Sequence, residues 1–177
     1  MRALIGLSLG LALGATAFAQ EGSPPGKPAA ACGALDASLP SGLDDWNGKA
    51  GIATAPDANR LTHAPLALGR GYEAILLHTP GIAFPVQPEK PGGSVAYAGL
   101  FAFTVGQAGN YAVALGSTAW IDVIEDGRVV TPASFGHGPE CTTIRKIVVF
   151  PLRPGVHTLQ VSASPDARLQ LMVANTP

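Results

Sequence analysis

Residues 95–127 read VAYAGLFAFTVGQAGNYAVALGSTAWIDVIEDG, and the fold is predicted mainly from the strand pattern in this stretch. Large apolar residues recur at every second position in three short runs, so each run places one row of them on one face of a strand. The rows are Phe101, Phe103 and Val105; Tyr111, Val113 and Leu115; and Ile121 with Val123. The closing pair, Asp126 and Gly127, tolerates the positive φ angles that a tight hairpin turn requires. The stretch therefore predicts successive β-strands, the last of which ends in a hairpin.

The same spacing continues on both sides of this stretch. Short apolar runs recur about every ten residues with turn-forming residues between them. They are YEAILLH and IAFPVQ before the stretch, and RVVTP, IRKIVVFPL, VHTLQVSA and RLQLMV after it. Roughly eight or nine half-buried strands predict an all-β fold, an antiparallel β-sandwich or jelly roll, because each sheet must bury one face against the other. No helix long enough for a βαβ crossover is visible in the sequence, which argues against a parallel α/β enzyme fold.

The N-terminal segment predicts export. A positive charge, an apolar run and the small-residue pattern AFA at its end are typical of a signal peptide at residues 1–19. Residues 20–31, QEGSPPGKPAAA, combine Pro, Gly and small residues and predict a flexible linker. A single β-sandwich domain is expected over residues 32–177. The protein is therefore expected in the periplasm or outside the cell.

Charge and hydropathy narrow the classes of partner. The chain carries 11 Lys and Arg against 12 Asp and Glu, a net charge of -1, and has no basic run of the kind that binds nucleic acid. The N-terminal apolar run is shorter than the ~20 residues that a bilayer-spanning helix needs, and no other segment is apolar over such a length. We therefore expect a small ligand, a glycan or an envelope protein as partner, with no nucleic acid and no membrane span.

Cys32 and Cys141 are the two cysteines of the chain, and in an oxidising compartment such a pair predicts a disulfide. A bridge across so long a loop stabilises a fold by up to ~4.7 kcal/mol in the chain-entropy model. The alternative is that Cys32 is lipidated, since three alanines precede it. However, the polar segment QEGSPPGKP separates Cys32 from the apolar run, whereas a lipid-anchor cysteine follows that run directly.

His137 and Glu140, in the loop FGHGPECTTIRK, come nearest to a metal-binding pair. Catalytic metal sites typically use three protein ligands, and His157 would have to complete the set from a neighbouring strand. No H-x-H, H-E-x-x-H or C-x-x-C motif occurs. The alternative is that His137, between two glycines, is an exposed loop residue. No G-x-S-x-G motif occurs either, and an oxidised Cys141 offers no thiolate, so no catalytic residue is assigned.

Trp120 and Asp122 form a candidate ligand-binding face. They alternate with Ile121 and Val123, so they share the side of the strand opposite the core. An aromatic ring beside a hydrogen-bonding carboxylate suits a small ligand or a sugar. The alternative is that this face also packs, beneath the N-terminal segment or against a second copy of the chain. Both interpretations stay open at this point.

Two longer parts of the chain resemble a known class of exported domain. The segments FAFTVGQAGNYAVALGSTAWIDVIEDGRVV and FPLRPGVHTLQVSAS resemble secreted bacterial β-sandwich modules, such as pre-peptidase C-terminal domains and carbohydrate-binding jelly rolls. This likeness covers about residues 95–173 and implies a fold, from which no function follows.

The segments PEKPGGSVAYAGLFAF, GSTAWIDV and GHGPECTTIRK also resemble short exported proteins of Gram-negative bacteria that carry the name homogentisate 1,2-dioxygenase. The enzyme of that name is a cupin-type oxygenase that opens an aromatic ring with iron held by two histidines and a glutamate. The resemblance implies iron on His137 and Glu140, with His157 as a further ligand. The H-x-H pair usual in cupins does not occur in this chain.

The sequence as a whole predicts an exported, non-catalytic binding or envelope-associated accessory module, with a glycan among the candidate ligands. The first alternative is an iron-dependent oxygenase of the homogentisate 1,2-dioxygenase type. The second alternative is a structural module that associates with copies of itself and forms a defined oligomer.

Overall fold

Two stacked β-sheets make up the protein in a computed structural model, which describes residues 32–176. The predicted signal peptide at residues 1–19 and the predicted linker at residues 20–31 lie outside the described residues. The strands are β1 (Ala50–Ala53), β2 (Pro65–Leu66), β3 (Arg70–Ile75), β4 (Leu77–His78), β5 (Tyr97–Val105), β6 (Gly109–Leu115), β7 (Trp120–Glu125), β8 (Arg128–Val129), β9 (Ser134–Gly136), β10 (Lys146–Leu152), β11 (Gly155–Ser164) and β12 (Arg168–Thr176). The predicted all-β sandwich is therefore confirmed, with more strands than the eight or nine expected.

Each sheet mixes strands from distant parts of the sequence. The first sheet, sheet A, has the order β1-β3-β12-β6-β10-β9, and sheet B has the order β2-β5-β11-β7-β8, with β4 also paired to β5. Neighbouring strands are antiparallel except for two pairs, β1 with β3 and β2 with β5. The outermost strands are short: β1 has four residues, β9 three, and β2 and β8 two each.

The core lies between the sheets and is built from the rows that alternation predicts. Every member of the three rows is buried, and the apolar residues that alternate along β11 and β12 are buried as well: Phe101, Phe103, Val105, Tyr111, Val113, Leu115, Ile121, Val123, Leu159, Val161, Leu169, Leu171 and Val173. The hairpin between β7 and β8 also forms as expected, with positive φ at Asp126 and Gly127. The period-two pattern therefore identifies the inner faces of both sheets correctly.

The run IAFPVQ is not a strand, contrary to the prediction. Residues 84–91, which we call the cover segment, instead cross the outer face of sheet B without regular structure. Three prolines in this segment, Pro85, Pro88 and Pro91, lack the backbone N–H that a strand ladder needs. The run YEAILLH is likewise divided at Leu76 between β3 and β4.

The segment that contains Leu39, Leu43 and Trp46 covers part of the outer face of sheet A. Three short 3₁₀ helices lie in or after it, at Trp46–Gly48, Ala58–His63 and Thr79–Gly81. The ring of Trp46 is fully buried and its Nε1 donates to Thr143 Oγ1 at 2.8 Å. It belongs to a second apolar cluster with Leu43, Ala114, Ile144, Met172 and Ala174. Both faces of the central strands are therefore buried.

No helix within residues 32–176 is both long and apolar enough to cross a lipid bilayer.

Candidate functional site

Trp120 and Asp122 lie at the start of β7 and are joined by a hydrogen bond. Because alternation points Ile121 and Val123 into the core, the two side chains project together from the outer face of sheet B. Trp120 Nε1 donates to Asp122 Oδ1 at 3.0 Å. The predicted pairing of ring and carboxylate is present, although the indole N–H is already used within the protein.

The cover segment shields this outer face from solvent. The Gln160 amide, opposite Asp122 in the β7–β11 ladder, donates to Val86 O at 3.0 Å and accepts from Val86 N at 3.2 Å. Ser162 Oγ, opposite Trp120, donates to Lys90 O at 2.8 Å. Asp122 is consequently only 6% exposed. Asp122 is thus enclosed within the protein, and its cover is residues 84–91, not the N-terminal segment or the second copy of the chain that the sequence suggested.

Burial determines the protonation of Asp122. Loss of water around the carboxyl raises its pKa, an effect that hydrogen bonds from Trp120 and Gln160 oppose and the negative charge of Glu89 reinforces. Its second oxygen, Oδ2, is fully buried and has no hydrogen-bond partner in the described part of the chain. An ionised carboxylate at this position is therefore unfavourable, and the neutral acid is favoured over a wider pH range than for an exposed aspartate.

Two lysines lie beside the Trp120 ring. Lys90 Nζ is 4.8 Å from the ring centroid and Lys146 Nζ is 5.9 Å from it. Lys146 is held in place, since its Nζ also donates to Ala119 O at 2.8 Å. Partial burial lowers the pKa of Lys146, and repulsion from Lys90 lowers it further. With cations over the ring, Trp120 is not an open platform on which a sugar could stack.

A pocket of about 530 Å³ begins at these residues and extends to the open edge between the two sheets. It exists because β8 pairs with β7 only at Ile124 and Glu125, so the first half of β7 has no strand partner on that side among residues 32–176. Polar groups lie at one end, from Gln87, Glu89, Trp120, Asp122 and Lys146. The remaining wall is apolar except for Thr131: Ile121, Val129, Val130, Pro132, Phe135, Val148 and Phe150. We call this the edge pocket.

The composition of the edge pocket is that of a small-molecule site, in which apolar walls provide affinity and a few polar groups fix orientation. Phe135 is 82% exposed although it is a large aromatic residue, and it lies on the short outer strand β9. An aromatic ring held at the rim of an apolar cavity can be covered by a ligand.

The predicted metal ligands do not form a metal site. His137 and Glu140 are exposed in the loop after β9. His157 is buried on the inner side of β11, where its ring stacks on Phe103 at 5.3 Å and its Nε2 bonds to Arg153 O at 2.9 Å. Nowhere in residues 32–176 do three His, Cys, Asp or Glu side chains gather as a metal ion requires. The iron ligand set implied by the dioxygenase resemblance therefore does not fit, because one member is enclosed in the core while the others lie in a surface loop.

Cys32 and Cys141 are bonded to each other, as predicted. The loop FGHGPECTTIRK thus carries the second half of a disulfide. Asp36 strengthens the same junction, accepting from Thr143 N at 2.7 Å and from Thr143 Oγ1 at 2.6 Å. Pairing of the cysteines is compatible with an extracellular location.

Sequence reasoning missed Lys90, Lys146 and Phe135. Lys90 and Lys146 are 56 positions apart and both reach Trp120 only because the cover segment crosses the start of β7 while β10 lies next to the edge strand β9 of the facing sheet. No periodicity within one strand could have connected them. The exposed Phe135 gave a weak signal, as a lone aromatic in a polar loop.

No protein-family model matches this chain, and a search of curated proteins finds none that is significantly similar to it.

Proposed function

We propose that this protein is an exported, non-catalytic binding module that takes a small, mostly apolar ligand in the edge pocket. One observation carries the proposal: a cavity of about 530 Å³ with an apolar wall and polar groups at one end. Such cavities bury most of the surface of a small ligand. The N-terminal signal pattern and the disulfide support export.

The pocket favours an apolar ligand over a glycan. Sugar-binding sites commonly offer an aromatic face with free hydrogen-bonding groups around it. Here Lys90 and Lys146 lie over the Trp120 ring, and Asp122 is enclosed beneath the cover segment. The apolar wall contributed by β7, β10 and the connection between β8 and β9 would gain most from burying hydrocarbon or aromatic surface.

Titration with the neutral fluorophore Nile red tests this function. We expect saturable binding at one site per chain. Phe135→Ala should weaken that binding by roughly ten- to a hundredfold, because a ligand that covers the ring would lose roughly 1.5–3 kcal/mol of apolar contact. The matched control is Val156→Ala, which truncates an apolar residue that is also 72% exposed but does not line the pocket. Equal effects of the two substitutions, or no saturable binding, would refute the proposal.

A further inference from the structure

The charges at the polar end of the edge pocket indicate which kind of ligand it accepts. Lys90 and Lys146 both approach Trp120, and within residues 32–176 neither forms an ion pair with a carboxylate. Lys146 lines the pocket and is partly buried, so water screens its charge less, whereas Lys90 is exposed and lies outside the lining. Repulsion between the two ammonium groups lowers the pKa of Lys146. A bound anion would relieve this repulsion and occupy donor positions that the protein leaves open.

Two carboxylates, those of Glu89 and Asp122, lie near the same end of the pocket, and their negative charge would oppose the binding of an anion. Glu89 is exposed at the rim, where water screens its charge. Asp122 is enclosed below Trp120, and its free oxygen Oδ2 has no solvent-accessible surface through which it could meet a ligand. The same enclosure favours the uncharged acid. Among the charged residues that line the pocket, Lys146 is therefore the one that is partly buried and still open to a ligand.

Lys146 is positioned to hold an anion. Its hydrogen bonds to Ala119 O at 2.8 Å and Thr118 O at 3.4 Å fix the ammonium at the start of β7, and an ammonium has three N–H donors. The residue is only half-buried, so it remains open to a ligand. Hydrogen bonds between an ammonium and an anion are roughly twice as strong as those between neutral groups.

We propose that the edge pocket binds an anionic amphiphile: its apolar body lies against Val148, Phe150 and Phe135, and its single anionic headgroup lies on Lys146, with Lys90 as a second cation beside the same Trp120 ring. This inference rests on the proposed function, since it names the ligand class of the same site. The headgroup is defined by its charge, so a carboxylate, sulfonate or phosphate ester would each satisfy it. The apolar body is defined by the wall of the cavity.

Three probes with the same eight-carbon chain separate charge from hydrophobicity: octanesulfonate, octanol and octylamine. Each is used to displace Nile red from the mature, oxidised protein at neutral pH and low salt. We expect octanesulfonate to bind on the order of tenfold more tightly than octanol, and octylamine to bind most weakly. Raising the salt concentration should reduce the advantage of the sulfonate and leave octanol unaffected.

Lysine substitutions locate the headgroup. Lys146→Met removes the charge while keeping an unbranched chain of similar length, and it should abolish most of the preference for octanesulfonate without changing the affinity for octanol. Lys90→Met should act in the same direction with a smaller effect, because Lys90 is exposed and lies beside Trp120 without lining the pocket. The matched control is Lys49→Met, at an exposed lysine that does not line the pocket.

The outcomes distinguish this inference from the proposed function. If Nile red and octanol bind but the sulfonate has no advantage, or if Lys49→Met has the same effect as Lys146→Met, the anionic headgroup is refuted and the apolar site stands. If octylamine binds best, the enclosed carboxylate dominates the site and the inference is wrong. If neither Nile red nor any eight-carbon probe binds, the proposed function itself fails.

Discussion

Replacing both cysteines by serine should cost this protein a large part of its stability. The bridge closes a loop of 109 residues, for which the chain-entropy model gives a stabilisation of about 4.8 kcal/mol at 25 °C. That is a substantial fraction of the free energy of unfolding of a typical domain, which is about 5–15 kcal/mol. For a domain of this size the loss corresponds to a decrease in melting temperature of roughly 10–20 °C.

The structure makes this value an upper limit. The segment around Cys32 is mostly exposed, so without the bridge it gains freedom in the folded state as well. Three hydrogen bonds of Asp36 oppose this release, two from Thr143 and one from Asp36 N to Cys141 O at 2.9 Å. We therefore expect the folded state to keep the segment in place and the measured loss to exceed half of the calculated value.

The assay is thermal unfolding of the oxidised wild type and of the Cys32→Ser/Cys141→Ser variant, followed by circular dichroism. The wild type unfolded in a reducing buffer is the internal control and should melt with the variant, because it has lost the bridge without any substitution. A variant that melts within about 2 °C of the oxidised wild type would refute the entropy argument. If the variant and the oxidised wild type had the same melting temperature and only the reduced protein melted lower, the loss would come from the free thiols of the reduced protein and not from the missing bridge.

Two further predictions concern buried positions. The pKa of Asp122 is raised in the folded state, so ionisation destabilises the fold: stability is highest below the unfolded pKa near 3.8 and falls as the pH rises through the folded pKa. Asp122→Asn should remove that decline, and its melting temperature relative to wild type should increase with pH over this interval; a constant difference would contradict the assignment. At Gly71, an added Cβ would lie 2.2 Å from Asp45 O, so Gly71→Ala should destabilise the protein by about 1–3 kcal/mol in urea unfolding. The matched control Gly51→Ala, where no atom lies within 4 Å of the added Cβ, should change stability by much less, and equal costs would show that the close contact relaxes.

The inner faces of the sheets were predictable because strand alternation is a local property. Phe101, Phe103 and Val105 indicate their common face within five residues of sequence, and the Asp126–Gly127 turn indicates the hairpin. The outer faces were not predictable in this way. Leu43 and Trp46 pack on β6 and β12 through contacts between residues far apart in the chain, which no local pattern encodes.

In the candidate site, too, features encoded by neighbouring residues were predictable, and features that depend on distant residues were not. Trp120 and Asp122 could be placed on one side of β7 from the sequence, because they are two positions apart and side chains on a strand alternate with a period of two residues. Their cover could not, since it depends on Gln160 and Ser162 bonding to a proline-rich segment about seventy residues earlier. The structure does not bring His157 to His137 and Glu140, because proximity of the latter two in the sequence says nothing about which side of the sheet holds His157.

The short outer strands of both sheets have a consequence for how the protein behaves at high concentration. A long, flat edge strand exposes a row of backbone donors and acceptors, and it invites the edge of another molecule to pair with it. Here β2 and β8 end sheet B with two residues each, while β9 and β1 end sheet A with three and four. Strands this short offer an incoming strand few backbone donors and acceptors for hydrogen bonds. These four terminal strands therefore disfavour growth into fibres by strand pairing at the ends of the two sheets.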